Sequence, residues 1–293
     1  MGKVLLTGGT GLIGTRLSFL LKEKGYQVNI LTRAPKKEHE YAWNIHENYI
    51  DDKAFDNVDY IIHLAGAGIA DKKWTQKRKQ EIIDSRVQSA ELLFKKTIQL
   101  RVPLKAFISS SGIGYYGAIT SNKIFKETDH PHNDYISHVC KLWEDATFKF
   151  DTKNIRTVAL RTGVVLSKDG GALSKMKTPI VSPIGSGKQY LPWIHIDDLC
   201  QLYVKTLEDP TISGTFNAVA PEHHTSTSFS KILAKNYKKP FISLGVPAFL
   251  LKLIFGELSI ILLKGSRVSS EKIESKGFTF RFPTLQNAFK NLF

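Results

Sequence analysis

Apolar residues fall along this chain in two alternating patterns. Short continuous runs, Val4-Leu5-Leu6, Val28-Asn29-Ile30-Leu31-Thr32, Asp59-Tyr60-Ile61-Ile62-His63-Leu64, Phe107-Ile108 and Thr157-Val158-Ala159-Leu160, have the length and apolarity of strands buried in a parallel sheet. Between them, apolar side chains recur at helical spacing. Leu12, Leu17, Leu20 and Leu21 follow the first run, and Ile83, Val87, Ala90 and Phe94 mark the inward stripe of a long helix over about residues 77–100. Strands alternating with helices predict an α/β fold: a doubly wound parallel sheet with ligands beyond the carboxyl ends of its strands.

The junction of the first strand and helix, Thr7-Gly8-Gly9-Thr10-Gly11-Leu12-Ile13-Gly14, carries the most specific chemistry in the sequence. Gly8 and Gly11 let the backbone turn and approach a pyrophosphate, Gly14 lets the helix pack close to the strand, and the helix N-terminus attracts phosphate. Thr10, Leu12 and Ile13 complete this Rossmann-type cradle. The end of the second strand decides which dinucleotide fits. A carboxylate there accepts from the ribose hydroxyls of NAD, whereas this chain offers Thr32 and Arg33, followed by Lys36 and Lys37. A guanidinium suits a 2′-phosphate, so NADP(H) is expected, with NAD(H) as the alternative. The third run ends in Leu64-Ala65-Gly66, small residues against which a cofactor can lie.

The 293 residues, 42% of them hydrophobic, are enough for one large core with a smaller appended lobe. Residues 1–240 are expected to form the nucleotide-binding part, with pocket-forming insertions around 167–195, and residues 241–293 a small C-terminal lobe. Residues 247–264 are rich in Leu, Ile and Phe, but Lys252, Gly256 and Glu257 interrupt them short of a membrane span, so they read as two core-facing helices. The formal charge of +14 comes from Lys and Arg scattered along the chain without a nucleic-acid module, so a small-molecule substrate is the expected partner. Cys140 and Cys200 are too few for a disulfide framework. The pairs His130/His132 and His223/His224 lack a third ligand, so no metal is expected. The first strand begins at residue 3 with no signal segment before it, which points to the cytoplasm.

The glycine motif, His63-Leu64-Ala65-Gly66 and the serine strand leading into Tyr115-Tyr116-Gly117 resemble the extended short-chain dehydrogenase/reductase superfamily. Trp193-Ile194-His195-Ile196-Asp197-Asp198, the stretch from Gly214 to Pro221 and the closing residues 277–293 resemble its epimerase family proteins of the atypical 39U group. That group is described as nucleoside-diphosphate-sugar epimerases or NADP-dependent oxidoreductases. The resemblance implies that Glu81 and Arg86 reach the cofactor; the alternative is an exposed helix face. The superfamily uses a Tyr and a Lys four apart on one helix, the ammonium lowering the phenol's pKa. Matching Glu144 to the acidic residue that commonly follows that Lys places Ile136 and Cys140 at the two positions. Both chemical groups are missing.

Ser111 matches the serine that hydrogen-bonds the reacting oxygen in active relatives, which makes it the catalytic candidate; the alternative is a strand-end hydroxyl satisfied by backbone. Tyr116 is expected to wall a substrate pocket, since no lysine is spaced to activate its phenol. Trp193 and His195 are further candidates for substrate contact, His195 equally readable as a satisfied buried histidine. Lys188 and Gln189 could reach a phosphate or sugar, or simply sit in a solvated turn. The leading expectation is an NADP-dependent oxidoreductase or epimerase acting on a carbonyl or nucleotide-sugar-like substrate. The alternative is a non-catalytic NADP-binding sensor or scaffold, which the missing dyad favours.

Overall fold

The computed structural model, which describes residues 2–293, begins with β1 (Lys3–Thr7), α1 (Leu12–Glu23), β2 (Gln27–Thr32), β3 (Glu40–Asn44) and β4 (Tyr49–Ile50). The chain then crosses to β5 (Tyr60–His63), α2 (Gln76–Gln99), β6 (Ala106–Gly112), the short β7 (Ile124–Phe125), α3 (Tyr135–Thr147) and β8 (Arg156–Thr162). Next come β9 (Val164–Ser167), β10 (Gly170–Gly171), α4 (Ala172–Lys175), β11 (Trp193–His195), α5 (Ile196–Glu208), β12 (Gly214–Ala218) and α6 (Ser226–Tyr237). The C-terminal part holds α7 (Ala248–Phe255), α8 (Ile260–Leu263), β13 (Arg267–Val268), α9 (Glu271–Ser275) and α10 (Leu285–Leu292).

The central eight-stranded sheet runs β12-β8-β6-β5-β1-β2-β3-β4, parallel except where β4 pairs antiparallel with β3. The order grows outward from β1 to β2 and returns on its other side to β5, so the strand order reverses between β1 and β5. A crevice for ligands opens at such a point. One face of the sheet buries Val4 and Leu6 against Leu17 and Leu21 of α1 and Leu199 and Tyr203 of α5. The other buries Leu5, Ile61 and Phe107 against Leu92 and Leu93 of α2, with Phe150 stacked on Phe107 at 3.8 Å between ring centroids.

The inward face of α2 is rotated from the expected stripe. Arg78, Ile82, Arg86, Ser89, Ala90, Leu92, Leu93 and Thr97 are the buried positions, while Ile83, Val87 and Phe94 are half-buried at its edges. Two arginines, Arg78 and Arg86, take up buried positions because carbonyls and a tryptophan ring receive them. The C-terminal residues share the clusters of the rest of the chain. Ile273, Phe278 and Phe280 pack with Leu199 and Phe216, and Leu285 and Phe289 pack with Trp193 and Phe229. Asp198 of α5 holds that segment in place, its carboxylate accepting from the backbone N–H of Arg281 at 2.8 Å and of Phe282 at 3.0 Å.

The expectation of two core-facing helices over residues 247–264 does not hold. Only Leu251 of α7 is buried and no residue of α8 is. Among the described residues, no helix is long and apolar enough to cross a membrane.

Candidate functional site

At the switch point the backbone of residues 8–14 is set by close approaches that tolerate no side chain at two of its glycines. Gly8 has φ +69°, and a Cβ there would sit 3.0 Å from the carbonyl carbon of Leu64. A Cβ on Gly14 would lie 2.2 Å from the Gly8 oxygen, so α1 rests directly on the turn. Gly11 differs. Its backbone is extended at φ −82°, and a Cβ would meet only the Gly8 oxygen, at 3.3 Å. Thr10 and Gly11 are exposed at the tip, with Leu12 and Ile13 half-buried behind them. The helix that starts here has no side-chain cap and no acid in its first turn, whereas Thr75, Asp134 and Thr225 cap α2, α3 and α6. Its leading N–H groups therefore keep their partial positive charge for an anion.

A buried hydrogen-bond chain fixes the neighbouring strand ends. Thr7 Oγ1 accepts from the backbone N–H of Leu64 and of Ala65, both at 3.1 Å, which leaves its own proton for His63 Nδ1 at 2.7 Å. The His63 ring therefore carries its proton on Nε2, facing Ser89 Oγ at 3.0 Å, and Ser89 donates onward to the Ser85 carbonyl at 2.7 Å. Burial lowers His63 to about 4, and His195, also lowered chiefly by burial, to about 4. Both are neutral in the native state. An unfolded histidine titrates near 6.5, so the stability these neutral rings confer is complete above that pH and lost as pH falls from about 6.5 to about 4, roughly 3 kcal/mol for the fully buried His63 and less for His195. Urea midpoints should fall steadily through this window; a midpoint unchanged from pH 7.5 to pH 4.5 would contradict the assignment.

The second wall of the groove is the loop after β5. Leu64 and Ala65 are half-buried and Gly66 exposed. Arg86 lies beneath, its Nη1 donating to the Ala67 carbonyl at 2.9 Å and its guanidinium 4.8 Å from the Trp143 ring centroid. A Cβ on Gly66 would fall 3.0 Å from Arg86 Cζ, which makes the glycine a condition of that packing. Arg78 grips the same loop through the Gly68 carbonyl at 2.6 Å. The Nε of each arginine has no hydrogen-bond partner among the described residues. Glu81 is exposed and spends its carboxylate on Arg78 at 2.8 Å, so it orients that arginine rather than facing the groove. Thr32 and the exposed Arg33 stand at the end of β2, the strand beside β1. Sequence reasoning missed Arg78; its spacing with Ile82 and Arg86, four and eight residues apart, was the available signal.

At the end of β6 the chemistry turns inward. Ser111 is 3% exposed, and its hydroxyl donates to Glu144 Oε1 at 2.7 Å. Arg161 of β8 clamps the same carboxylate through Nε on Oε1 and Nη2 on Oε2, both at 2.8 Å. Its Nη1 reaches the Tyr116 hydroxyl at 3.0 Å, which donates to Asn217 Oδ1 at 2.6 Å. Tyr116 is thus a buried member of this network and not a pocket wall, and burial pushes its phenol up to about 12. Ile136 and Cys140 sit one turn apart on α3. Ile136 packs with Trp74, Val139 and Leu258, and burial pushes the Cys140 thiol up to about 12, so it carries no charge near neutrality.

The remaining candidates are also internal. Trp193 is fully buried. His195 caps α5, its Nδ1 accepting from the Asp197 N–H at 3.1 Å, and its ring lies 3.9 Å from that of Phe282. Gln189 is buried and donates to the Ile184 and Leu262 carbonyls, each at 2.9 Å, while Lys188 beside it is exposed. Lys188 borders an open cavity of about 470 Å³ with Thr120, Asn122, Tyr190, Thr225 and Thr227. Among the described residues, no three His, Cys, Asp or Glu side chains converge as a metal site would require.

Residues 4–218 match the NAD dependent epimerase/dehydratase family. The chain belongs to that family. Residues 246–292 of this family member match a domain of unknown function (DUF1731). It is 34% identical over 300 residues to the epimerase family protein SH2119 of Staphylococcus haemolyticus, covering 100% of this chain and 99% of that one. Its fold superposes on the human epimerase family protein SDR39U1, a structure containing NADPH, with a TM-score of 0.88 at 30% identity over 99% and 98% of the two chains. The nucleoside-diphosphate sugar epimerase from Corynebacterium glutamicum gives a TM-score of 0.79 at 28% identity over 98% of this chain and 57% of that one.

Proposed function

We propose that this family member binds NADP(H) between residues 8–14, Arg33 and the loop at Leu64, Ala65 and Gly66, and serves as an oxidoreductase or epimerase on a carbonyl or nucleotide-sugar-like substrate. The observation that carries the reading is the uncapped N-terminus of α1 behind a turn whose one open glycine is Gly11. A pyrophosphate fits such a cradle, and the human relative solved with NADPH supports the choice of ligand. NADP is favoured over NAD by Arg33, exposed at the end of β2 where a carboxylate would otherwise stand. Bound there, a nicotinamide supplies hydride exchange with a carbinol or carbonyl carbon. The cavity beside Lys188 is the proposed place for polar parts of the substrate.

Arg33→Ala should weaken NADPH binding roughly tenfold or more, the worth of a charge-assisted hydrogen bond to the 2′-phosphate, and leave NADH binding unchanged. Titration calorimetry on both proteins reads this directly. NADH binding as tight as NADPH in the parent protein would overturn the assignment.

Ser111, Tyr116 and Cys140 are all committed to the interior, which favours a second reading, that of a sensor or scaffold using the same nucleotide site. A screen of carbonyl compounds and nucleotide sugars, following NADPH oxidation and sugar interconversion, separates the two. Acid-base help contributes about 10²–10⁴-fold, so turnover, where found, should be slow. Tight NADPH binding with no turnover across the screen would leave the sensor reading.

A further inference from the structure

Residues 242–260 carry large apolar side chains into solvent. Leu244 is 79% exposed, Leu253 76% and Phe249 68%, with Ile242, Ile254 and Phe255 exposed beside them. α7 is apolar around its circumference except at Lys252, a composition that belongs in a covered helix, yet only Leu251 is buried. Contiguous apolar surface of this kind on a folded protein marks a place where something docks. The platform beneath is held. Val181 and Ile184 bridge to Phe241 and Val246, the Val246 N–H donates to the Pro183 carbonyl at 2.8 Å, and Leu258 just after α7 is buried against Trp74 and Ile136.

The charged residues in the chain segments leading into this surface are lysines. Lys175 and Lys177 precede the 181–184 segment, Lys235, Lys238 and Lys239 precede the 241–246 segment that pairs with it, and Lys252 lies on α7; all are exposed. No Asp or Glu occurs at residues 170–196 or 223–256, and Glu257, just after α7, is engaged by Lys79 at 2.6 Å.

We infer that this face docks on an anionic lipid surface, with α7 lying in the plane of the interface, Phe249, Leu253 and Ile254 entering it and the surrounding lysines meeting headgroup charge. An apolar helix rimmed by lysine is the composition that such an interface binds, and the formal charge of +14 adds attraction at longer range. A second copy of the chain would bring the lysines of two such faces together. A nucleic acid would meet the charge and leave the apolar residues uncovered.

Co-sedimentation with phosphatidylcholine vesicles, with and without phosphatidylglycerol, tests the inference. The protein should bind the vesicles containing phosphatidylglycerol and not the neutral ones. Phe249→Glu with Leu253→Glu should weaken binding roughly tenfold or more, and each lysine charge removed by Lys238→Gln or Lys239→Gln roughly fivefold. All these side chains are exposed, so melting temperature and NADPH affinity should stay at parent values and show that the variants fold. No binding to anionic vesicles would overturn the inference. So would binding that survives Phe249→Glu with Leu253→Glu, equal binding to neutral vesicles, or a soluble dimer dissociated by the same pair of substitutions.

Discussion

Glu144→Ala should lower folding stability by about 3–5 kcal/mol, the usual effect of removing one partner of a buried ion pair, and lower the melting temperature by on the order of 10 °C. The reason is geometric. Arg161 is 3% exposed, and Glu144 answers its charge through two hydrogen bonds while also accepting from Ser111. Without the carboxylate, the guanidinium keeps the Tyr116 hydroxyl and ring, the more distant Glu127 carbonyl and the Tyr115 ring, whose centroid is 3.3 Å from Arg161 Cζ. The double replacement Glu144→Leu with Arg161→Met removes both charges and should lose less than Glu144→Ala alone. Thermal melts followed by circular dichroism compare the three proteins. A Glu144→Ala protein melting within a degree or two of the parent would mean that water reaches Arg161.

Gly11→Val should abolish detectable NADPH binding while leaving the melting temperature close to that of the parent. The branched side chain would stand in the open space at the turn, and the backbone conformation of Gly11 is one that any residue adopts. Gly14→Val is the contrasting substitution. Its Cβ would be driven into the Gly8 oxygen and the Gly9 Cα, so it should prevent α1 from seating on β1 and give a poorly folded protein. Calorimetry for the first variant and circular dichroism for both separate the cradle's function from its packing. Parent-like NADPH affinity in a folded Gly11→Val protein would remove this turn from the nucleotide site.

The elements legible in the sequence are those whose chemistry is local. Residues 8–14 announce a strand, a turn and a helix start within one stretch, and the short apolar runs identify the parallel strands without reference to anything distant. The face of α2 was not legible because its determinants come from elsewhere: Gly68, Ala67 and Trp143 supply the partners that let Arg78 and Arg86 replace apolar residues. Tyr116 looked like a pocket wall because tyrosine is amphipathic, but Asn217 and Arg161, far along the chain, claim its hydroxyl. His195 could be read two ways, and the structure uses it as the cap of α5. The apolar stretch at 247–264 misled for the opposite reason: hydrophobicity counts how much a residue gains from being covered, and cannot say whether the same chain provides the cover.

The shared clusters of the C-terminal residues bear on how much of the chain the core needs. Phe278 and Phe280 complete the layer over Phe216, and Phe289 closes on Phe229 and beside Trp193. Without residues 278–292, Phe216, Phe229 and Trp193 would lose that cover and the apolar layers on which they sit would stand open to water.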